Sequence, residues 1–522
     1  MPPREKDPTR QRERIGAAAV EAVHDVMWKA ADVLRGPVDA TEYKDFVLGL
    51  LFVRYLSDVF AERRAELDEE LAAEGVPEEL RNSLLEDRDE YDSHGILWVP
   101  EAARWSRITA DWSRPDAGYR LASAVDALMR ENIALRDMFP PALLRVDLDS
   151  RRLAALVDLI GDPRFISRGR MTARDTLSQV FAYFLASFAR DEGKRGAESH
   201  TPQSLAQLIV EVLEPYGGRA YDPACGVGDM LVEAALFAET RASREAPAFL
   251  SVYGQEKNER TWRLARMNLA IHEVDTVGAL GAVPADTFSV DQHPDLRADF
   301  VMAHPPFNVS DWVWDAGDSR WTYGVPPSQN ANYAWLQHAV AKLARGGTAG
   351  VVLANSSMSS TSRAERDIRR GLMEADRVAC LVALPSRLFR TTSIPACLWI
   401  LTEDKSSQGA KDLTDRRGQI LFVDARRTGT MADRTERVLT LDDIDRIATS
   451  YHAWRGTPSA RDAGLVYRDE PGFRRSVDLA AVREQGYALV PGRYVGTASQ
   501  EPPPRPRERP ASLMRNLYAI FD

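Results

Sequence analysis

The chain has 522 residues, of which 44% are hydrophobic and 28% are charged, as is ordinary for a soluble globular protein with room for two or three domains. The formal net charge of −10 excludes a globally basic surface, so a DNA-binding role requires either basic residues concentrated in one cleft or phosphate contacts from a partner chain. An acidic balance that only keeps the protein soluble explains the charge equally well.

The few cysteines and the apolar patterning narrow the class of protein further. Cys225, Cys380 and Cys397 lie far apart, so neither a disulfide framework nor a zinc cluster is expected, and no metal site is predicted. These cysteines fit a reducing cytoplasm. The charged N-terminus lacks the apolar core of a signal peptide, and no run of about 18 uncharged apolar residues occurs, so no membrane span is expected.

The N-terminal third of the chain is predicted to be helical. Residues 1–16 are charged and are expected to form a disordered arm, and residues 17–190 are expected to form a helical domain. Within it, residues 41–60 are apolar on almost every side, which predicts a buried central helix. A second apolar run, LSQVFAYFLASFA, ends just before Arg190.

Short β-like runs alternate with helical runs between residues 191 and 496. Thr201 and Pro202 are typical of a helix start, and the alternation that follows favours an α/β domain with a doubly wound, mostly parallel sheet. The C-terminal residues 497–522 are predicted to be a Pro- and Arg-rich linker with a short final segment. The strand candidates are GRAYD, SVYGQE, DFVMA, TAGVVLAN, ACLVALP and ACLWILT, and the helix candidates are 258–271, 331–344 and 364–375.

A turn that contains two glycines, DPACGVGD, follows the first strand candidate and precedes a helix. Glycines at such a turn let the backbone approach a ligand, and ligands of open α/β sheets bind at the carboxyl ends of strands. This sequence differs from the G-x-G-x-x-G motif at the corresponding turn of nicotinamide-dependent enzymes. A tight turn without a ligand is the alternative.

Two acidic residues follow later strands and are candidate acceptors for a nucleoside. Glu256 ends the second strand candidate, where a carboxylate can accept both ribose hydroxyls. A role in stabilising the start of the next helix is the alternative for Glu256. Asp286 could accept a hydrogen bond from an adenine amino group, although taken alone it is an ordinary loop aspartate.

The sequence His304-Pro305-Pro306-Phe307 comes directly after the strand candidate DFVMA. Two prolines fix the backbone and remove two N–H donors, which leaves carbonyl oxygens as acceptors. The aromatic ring after them offers a face on which a flipped base can stack. Such a site can hold an amino nitrogen through its hydrogens, whereas a rigid loop with a core phenylalanine is the alternative.

These motifs and their order resemble the modification subunit of type I restriction–modification systems, which are adenine-N6 DNA methyltransferases. The segments that carry the resemblance are WKAADVLRGPVDATEYKDFVLGLLFVRYLSD, HTPQS, DPACG, GQEKN, HPPFNVSDW, RWTYGVPPSQNANYAWLQH, GVVLANSSMSS and LVPGRYVG. The resemblance as a whole covers roughly residues 23–496. The resemblance implies a Rossmann-like, S-adenosylmethionine-dependent methyltransferase sheet domain behind an N-terminal α-helical domain, with a short C-terminal tail.

The resemblance also implies roles for individual residues and partners. The implied partners are double-stranded DNA with a flipped adenine, a specificity subunit, a second copy of this chain and, as a further candidate, a restriction subunit that acts as nuclease and translocase. The target adenine would be received by His304, Pro305, Pro306 and Phe307. The cofactor would be bound by His200, Thr201, Pro202, Asp222, Pro223, Ala224, Gly226, Gly228, Glu256 and Asp286.

Three positions depart from the family's usual residues. His200 stands in place of tyrosine or phenylalanine, Asp229 in place of glycine, and His304 in place of the asparagine or aspartate that accepts a hydrogen from the target amino group. Only a neutral imidazole can accept that hydrogen. Three interpretations therefore remain open. The chain is an active enzyme that uses histidine, a slow enzyme, or a scaffold subunit of a restriction or phage-defence complex that binds cofactor and DNA without methylating. Transfer to cytosine N4, to RNA or to a protein glutamine is a more distant alternative.

Overall fold

The structure, a computed structural model, describes residues 40–110, 116–146, 149–161, 178–185, 200–241, 249–275, 278–389, 394–407 and 412–497, together with residue 29. It combines a group of N-terminal helices with an eight-stranded mixed sheet flanked by helices. This is the α/β class that the strand–helix alternation predicts. The predicted arm at 1–16, the loop near residue 193, the end of the LSQVFAYFLASFA run and the tail beyond residue 497 lie outside the described residues. The domain boundaries there stay predictions.

The N-terminal helices pack around one long helix, α1, which confirms the predicted central helix. Its apolar residues from Phe46 to Phe60 are almost all buried, because a helix that is apolar all round can be stable only inside a core. Within the described residues, no helix is both long and apolar enough to cross a membrane. The helices of this part are α1 (Ala40–Ala73), α2 (Glu78–Leu84), α3 (Asp89–Asp92), α4 (Trp105–Ile108), α5 (Ala117–Glu131), α6 (Pro141–Leu144) and α7 (Ser150–Ile160).

The sheet has its strands in the order β10-β7-β5-β6-β4-β3-β1-β2. Strands β2, β1, β3 and β4 are mutually parallel, so their carboxyl ends lie at one edge, whereas β6 runs antiparallel to both of its neighbours. A small separate ribbon pairs β8 with β9. The strands are β1 (Gly218–Asp222), β2 (Leu250–Gly254), β3 (Ala298–Ala303), β4 (Leu343–Ala354), β5 (Val378–Ala383), β6 (Ala396–Thr402), β7 (Gln419–Asp424), β8 (Thr430–Met431), β9 (Arg437–Val438) and β10 (Arg474–Asp478).

The helices of this region cover both faces of the sheet and continue the alternation. Helix α10 has the side chain of Asn258 as its N-cap, which accepts a hydrogen bond from the Thr261 N–H, and α13 begins with a capping box at Thr440. These helices are α8 (Gln203–Leu213), α9 (Asp229–Arg241), α10 (Glu259–Ile271), α11 (Asn332–Lys342), α12 (Arg363–Glu374), α13 (Leu441–Arg455), α14 (Pro458–Asp462) and α15 (Leu479–Glu484).

Helix α10 joins the sheet to the N-terminal helices. Its apolar residues Leu264, Met267 and Ile271 belong to the same buried core as α1, and the Tyr55 hydroxyl of α1 donates to the Ile271 carbonyl at 3.0 Å. Val227, from the glycine turn after β1, is part of this core too. The predicted ligand loop therefore shares one hydrophobic core with the N-terminal helices.

Candidate active site

The glycine turn after β1 is held against the end of β2. The Cys225 N–H donates to the Gln255 carbonyl at 2.9 Å, and the Gln255 N–H donates to the Asp222 carbonyl at 3.0 Å. Gly226 and Gly228 have φ of +55° and +85°, values that favour glycine because a side chain there would be strained. The turn thus brings main-chain N–H groups to the carboxyl edge of the sheet, as the sequence predicts.

Asp222, the last residue of β1, carries a carboxyl group that is fully buried beneath this turn. Its Oδ1 accepts a hydrogen bond from the Ala224 N–H at 2.9 Å. Burial raises the pKa of Asp222 to about 8, against the lowering effect of that hydrogen bond, and the nearby carboxyl groups of Glu256 and Asp229 raise it further. In the free protein at neutral pH, Asp222 is therefore mainly protonated.

Glu256 lies beside the turn, where the sequence predicts an acceptor for ribose. Its Oε1 accepts a hydrogen bond from the Asn258 N–H at 2.8 Å. Burial raises the pKa of Glu256 even though the N–H groups of Asn258 and Gly226 lower it. The contact with Gly226 brings this carboxyl group to the glycine turn.

The loop that carries Asp286 is tied to both of these segments. The Ala285 N–H donates to the Glu256 carbonyl at 2.9 Å, and the Thr287 hydroxyl donates to the Pro223 carbonyl at 2.5 Å. The Asp286 carboxylate itself accepts hydrogen bonds from two N–H groups of its own turn, the nearer being that of Phe288 at 2.9 Å. The structure therefore brings together three of the predicted cofactor segments, those of the glycine turn, Glu256 and Asp286, while the role of Asp286 in binding stays a prediction.

His304 and Phe307 lie at the carboxyl end of β3, on the edge that carries the glycine turn. The half-buried His304 ring stacks on Phe389, with ring centroids 5.0 Å apart and planes at 21°. Phe307 meets both rings edge to face, at 5.4 Å from His304 and 5.5 Å from Phe389. Pro305 is buried and Pro306 is half-buried. Sequence reasoning missed Phe389, because a single phenylalanine after a buried strand has no distinctive pattern.

The three positions that depart from the family lie in one hydrogen-bonded chain. His200 Nδ1 lies 3.2 Å from Asp229 Oδ2, and the same oxygen accepts a hydrogen bond from the Thr201 N–H at 3.0 Å. The Thr201 hydroxyl oxygen lies 3.2 Å from His304 Nδ1. The Asp229 carboxylate thus links the segment before α8 to the start of α9, and Thr201 connects both to His304.

The His304 imidazole is neutral at physiological pH. Burial lowers the pKa of His304 to about 4, although the Asp229 carboxylate pulls in the opposite direction. A neutral imidazole offers one acceptor nitrogen and one donor nitrogen. The protonation state that hydrogen-bond acceptance requires is therefore the one that this environment favours.

Arg320 was also missed by sequence reasoning, which quoted RWTYG only as part of the family resemblance. Its guanidinium donates to the carbonyls of Thr287 and Phe288 at 2.9 and 3.2 Å, immediately after Asp286. It also pairs with Asp318 and donates to His338 Nδ1 at 3.0 Å. Arg320 therefore fixes the Asp286 loop to the connection between β3 and α11, residues 304–331.

An aromatic cluster fills the space beside the Asp286 loop. The Phe288 ring lies 4.3 Å from that of Trp335 and 4.9 Å from that of Trp312. Trp321 belongs to the same cluster, and Ala224 of the glycine turn packs against it. The cluster joins the segment after the His-Pro-Pro-Phe motif to the two predicted cofactor loops by apolar contact.

The same fold is seen in the crystal structure of the type I restriction-modification system methyltransferase subunit from Streptococcus thermophilus. The TM-score is 0.69 at 22% sequence identity, and the match covers 91% of this chain and 99% of that one. The fold class is thus that of a Rossmann-like methyltransferase with an N-terminal helical domain, as the sequence resemblance implies.

Sequence comparison narrows the class to a family. The family model for N-6 DNA methylase matches residues 172–502, and the model for the HsdM N-terminal domain matches residues 23–160. The type I restriction enzyme HindI methylase subunit of Haemophilus influenzae is 39% identical over 81% of this chain and 95% of its own length. The MjaIX methylase subunit of Methanocaldococcus jannaschii is 34% identical over 91% of this chain and 84% of its own length. The chain belongs to the N-6 DNA methylase family, among the modification subunits of type I restriction enzymes.

Proposed function

We propose that this chain methylates the exocyclic N6 of adenine in DNA, with S-adenosylmethionine as methyl donor, at sites chosen by a partner specificity subunit. One observation carries the proposal. The Thr201 hydroxyl oxygen lies 3.2 Å from His304 Nδ1, so the segment that borders the glycine turn touches the first residue of the His-Pro-Pro-Phe motif. The segments proposed to bind the methyl donor and the target adenine are therefore adjacent, as methyl transfer requires.

The residues at the sheet edge fit the cofactor. The positive-φ glycines let the backbone of the turn approach a ligand, the Glu256 carboxyl group beside it suits two ribose hydroxyls, and Asp286 suits an adenine amino group. The methionine part would border Thr201 and Pro202. Bound S-adenosylmethionine would supply an electrophilic methyl group on its sulfonium. The other residues proposed to line this site are His200, Asp222, Pro223, Ala224, Gly226 and Gly228.

His304 and its neighbours would prepare the target base. Nε2 of the neutral imidazole, which has no hydrogen-bond partner among the described residues, would accept one amino hydrogen of adenine. This contact would concentrate the nitrogen lone pair on N6, and Nε2 would then take up the proton that N6 must lose on methylation. Pro305 and Pro306 offer carbonyl oxygens without competing N–H donors. Phe307 and Phe389 provide aromatic faces for a base that has left the helix.

Partner chains would complete the assembly. The net charge of −10 provides no excess of positive charge for the DNA backbone, so a specificity subunit is proposed to supply many phosphate contacts. The chain's relatives are named as subunits of type I restriction enzymes, which supports an assembly of this kind. A second copy of the chain and a restriction subunit are proposed as further members.

The test is methyl transfer by the complex of this chain with its specificity subunit, using DNA and radiolabelled S-adenosylmethionine between pH 6 and pH 9. Transfer is expected in the wild type, and His304→Ala should lower kcat by about 100-fold because the acceptor is lost. His94→Ala, at an exposed histidine of the N-terminal helices, is the matched control and should keep wild-type kcat. Absence of transfer at every pH would refute the proposal.

A non-catalytic scaffold is the second candidate, because His304 and Asp229 replace the usual family residues. Methyl transfer by the unmodified complex would exclude a scaffold that binds the cofactor without using it, and calorimetry of S-adenosylmethionine binding identifies a scaffold that does not bind the cofactor. An enzyme should bind the cofactor and lose affinity in Glu256→Ala, whereas a wild-type chain without measurable binding would favour the scaffold.

A further inference from the structure

The departures at positions 229 and 304 are physically linked. Asp229 Oδ2 accepts the Thr201 N–H at 3.0 Å, and the hydroxyl of the same threonine lies 3.2 Å from His304 Nδ1. His200 Nδ1 lies 3.2 Å from the same Oδ2 of Asp229. A family member with glycine at position 229 has no carboxylate that could hold Thr201 in this way.

His304 must present a lone pair to the target, and only one of its two neutral tautomers can do so. Nδ1 is engaged by Thr201, and among the residues that the structure describes, Nε2 has no hydrogen-bond partner. Nε2 is therefore the nitrogen that remains for substrate. It accepts a hydrogen bond only if the ring proton is on Nδ1, which can then donate to the Thr201 hydroxyl oxygen.

The charge distribution around the ring favours that tautomer. Asp229 reaches His304 through Thr201, so its negative charge lies on the Nδ1 side, where it stabilises a proton. Two other carboxyl groups lie close by, since the charges of Glu256 and Asp229 both raise the pKa of Asp222. Among the residues that the structure describes, Asp229 is the one carboxyl group whose charge acts on the pKa of His304, which it raises against the effect of burial.

We infer that Asp229, acting through Thr201, keeps the ring proton of His304 on Nδ1 and so leaves Nε2 as the acceptor for the target amino group. Asp229 and Thr201 are positioning residues in this scheme. Asp229, which replaces the family's usual glycine, thus allows His304, which replaces the usual asparagine or aspartate, to accept a hydrogen bond from the target amino group. The inference rests on the proposed function, because it assigns how that same site recognises an amino group.

The tautomer can be measured without methyl transfer. The full chain, labelled with ¹⁵N in its eight histidines, gives nitrogen shifts that separate the two tautomers, and the resonances lost in His304→Asn assign His304. At pH 7, His304 is expected to carry its proton on Nδ1. Asp229→Asn keeps the shape but removes the charge, and should move the population toward the Nε2-protonated form. An Nε2-protonated His304 in the wild type, or no change in Asp229→Asn, would overturn the inference.

A double-mutant cycle tests the link in the assembled complex. Asp229→Asn should lower kcat by about tenfold or more when His304 is present, but by less than about threefold in the His304→Asn background, since an asparagine amide has no tautomer to set. Thr201→Val should behave like Asp229→Asn, and Thr201→Ser should recover most of the rate. Equal losses in both backgrounds would assign Asp229 a purely structural role and contradict the inference.

The two proposals can fail separately. A complex that transfers no methyl group, but whose His304 has its proton on Nδ1 in an Asp229-dependent way, would contradict the proposed function while supporting the tautomer assignment. A complex that transfers methyl groups with an Nε2-protonated His304 would support the function and overturn the assignment.

Discussion

At the scale of single residues, the site is governed by ionisable groups held away from water. Burial raises the pKa of Asp222 to about 8 and lowers that of His304 to about 4, so both side chains are mainly neutral at pH 7. Sequence reasoning required a neutral His304 for catalysis. It could not derive that state, because burial and the approach of Asp229 depend on the folded arrangement of three segments distant in the chain.

Asp222 gives a prediction on stability. In the unfolded chain this carboxyl group loses its proton near its ordinary pKa of 3.8, whereas the folded chain keeps the proton up to about pH 8. The folded state thus binds more protons in this interval, and the contribution of Asp222 to the free energy of unfolding falls as pH rises from about 4 to 8. Asp222→Asn should make urea unfolding of the cofactor-free chain less dependent on pH in that range. An unchanged pH dependence would contradict the assigned pKa.

Phe389 gives a prediction on base flipping. Because it stacks beside His304 and faces Phe307, its ring should hold the extruded adenine, and Phe389→Ala should raise KM for DNA by about tenfold. The fluorescence of 2-aminopurine at the target position would report the loss of flipping directly. Phe249→Ala, at a phenylalanine that is 79% exposed, is the control. Equal KM values for the Phe389 and Phe249 variants would argue against this role.

At the scale of elements, strands β1 to β6 were predictable from the sequence, whereas β7 and β10 of the same sheet were not among the strand candidates. The strand candidates GRAYD and ACLWILT coincide with β1 and β6, and ACLWILT is buried along its whole length, as a nearly continuous apolar run predicts. Strand β10 was missed: of its residues Arg474–Asp478 only Val477 is buried, and it is held by backbone pairing with β7. The reversed direction of β6 also lies beyond sequence patterning, which does not encode the direction of pairing.

The candidate site likewise has parts that could be predicted from the sequence and parts that could not. The glycine turn and the His-Pro-Pro-Phe motif could be placed from sequence because each directly follows a strand candidate of a predicted parallel sheet. Arg320 could not, because its contacts with the Asp286 loop cross more than 30 residues of chain and its motif has no fixed strand or helix pattern.

Arg320 gives a prediction at this scale. Arg320→Ala removes two hydrogen bonds to the carbonyls that follow Asp286, so the loop loosens and the dissociation constant for S-adenosylmethionine should rise by about tenfold. Calorimetric titration measures this change. Arg297→Ala, at an exposed arginine close in sequence to the same loop, should leave the dissociation constant unchanged. Equal affinity in the Arg320 variant and the wild type would contradict the proposed part of this loop in cofactor binding.

At the scale of the whole molecule, one core joins the N-terminal helices to the cofactor turn. Helix α10 contributes Leu264, Met267 and Ile271 to it, and the turn contributes Val227. Arg260 of the same helix pairs with Asp45 of α1, with N···O of 2.6 Å. A change in the position of the N-terminal helices would thus reach the cofactor turn through the core that they share with α10.

Leu264 tests this connection. Leu264→Ala should lower the free energy of unfolding by about 2–5 kcal/mol, because the cavity lies in a core shared by both parts of the chain. It should also weaken S-adenosylmethionine binding, since Val227 packs in the same core. Leu80→Ala, at a leucine that is 59% exposed, should change neither quantity. A loss of stability without any loss of affinity would show that the core does not couple the two parts.

The central claim is that this chain transfers a methyl group to adenine N6 with a histidine at the start of its target-binding motif. The most direct measurement is mass spectrometry of nucleosides from DNA incubated with S-adenosylmethionine and the complex of this chain with its specificity subunit. The account predicts N6-methyladenine as the product, strongly reduced with His304→Ala. DNA that contains no methylated adenine, from a complex that binds both cofactor and DNA, would contradict it.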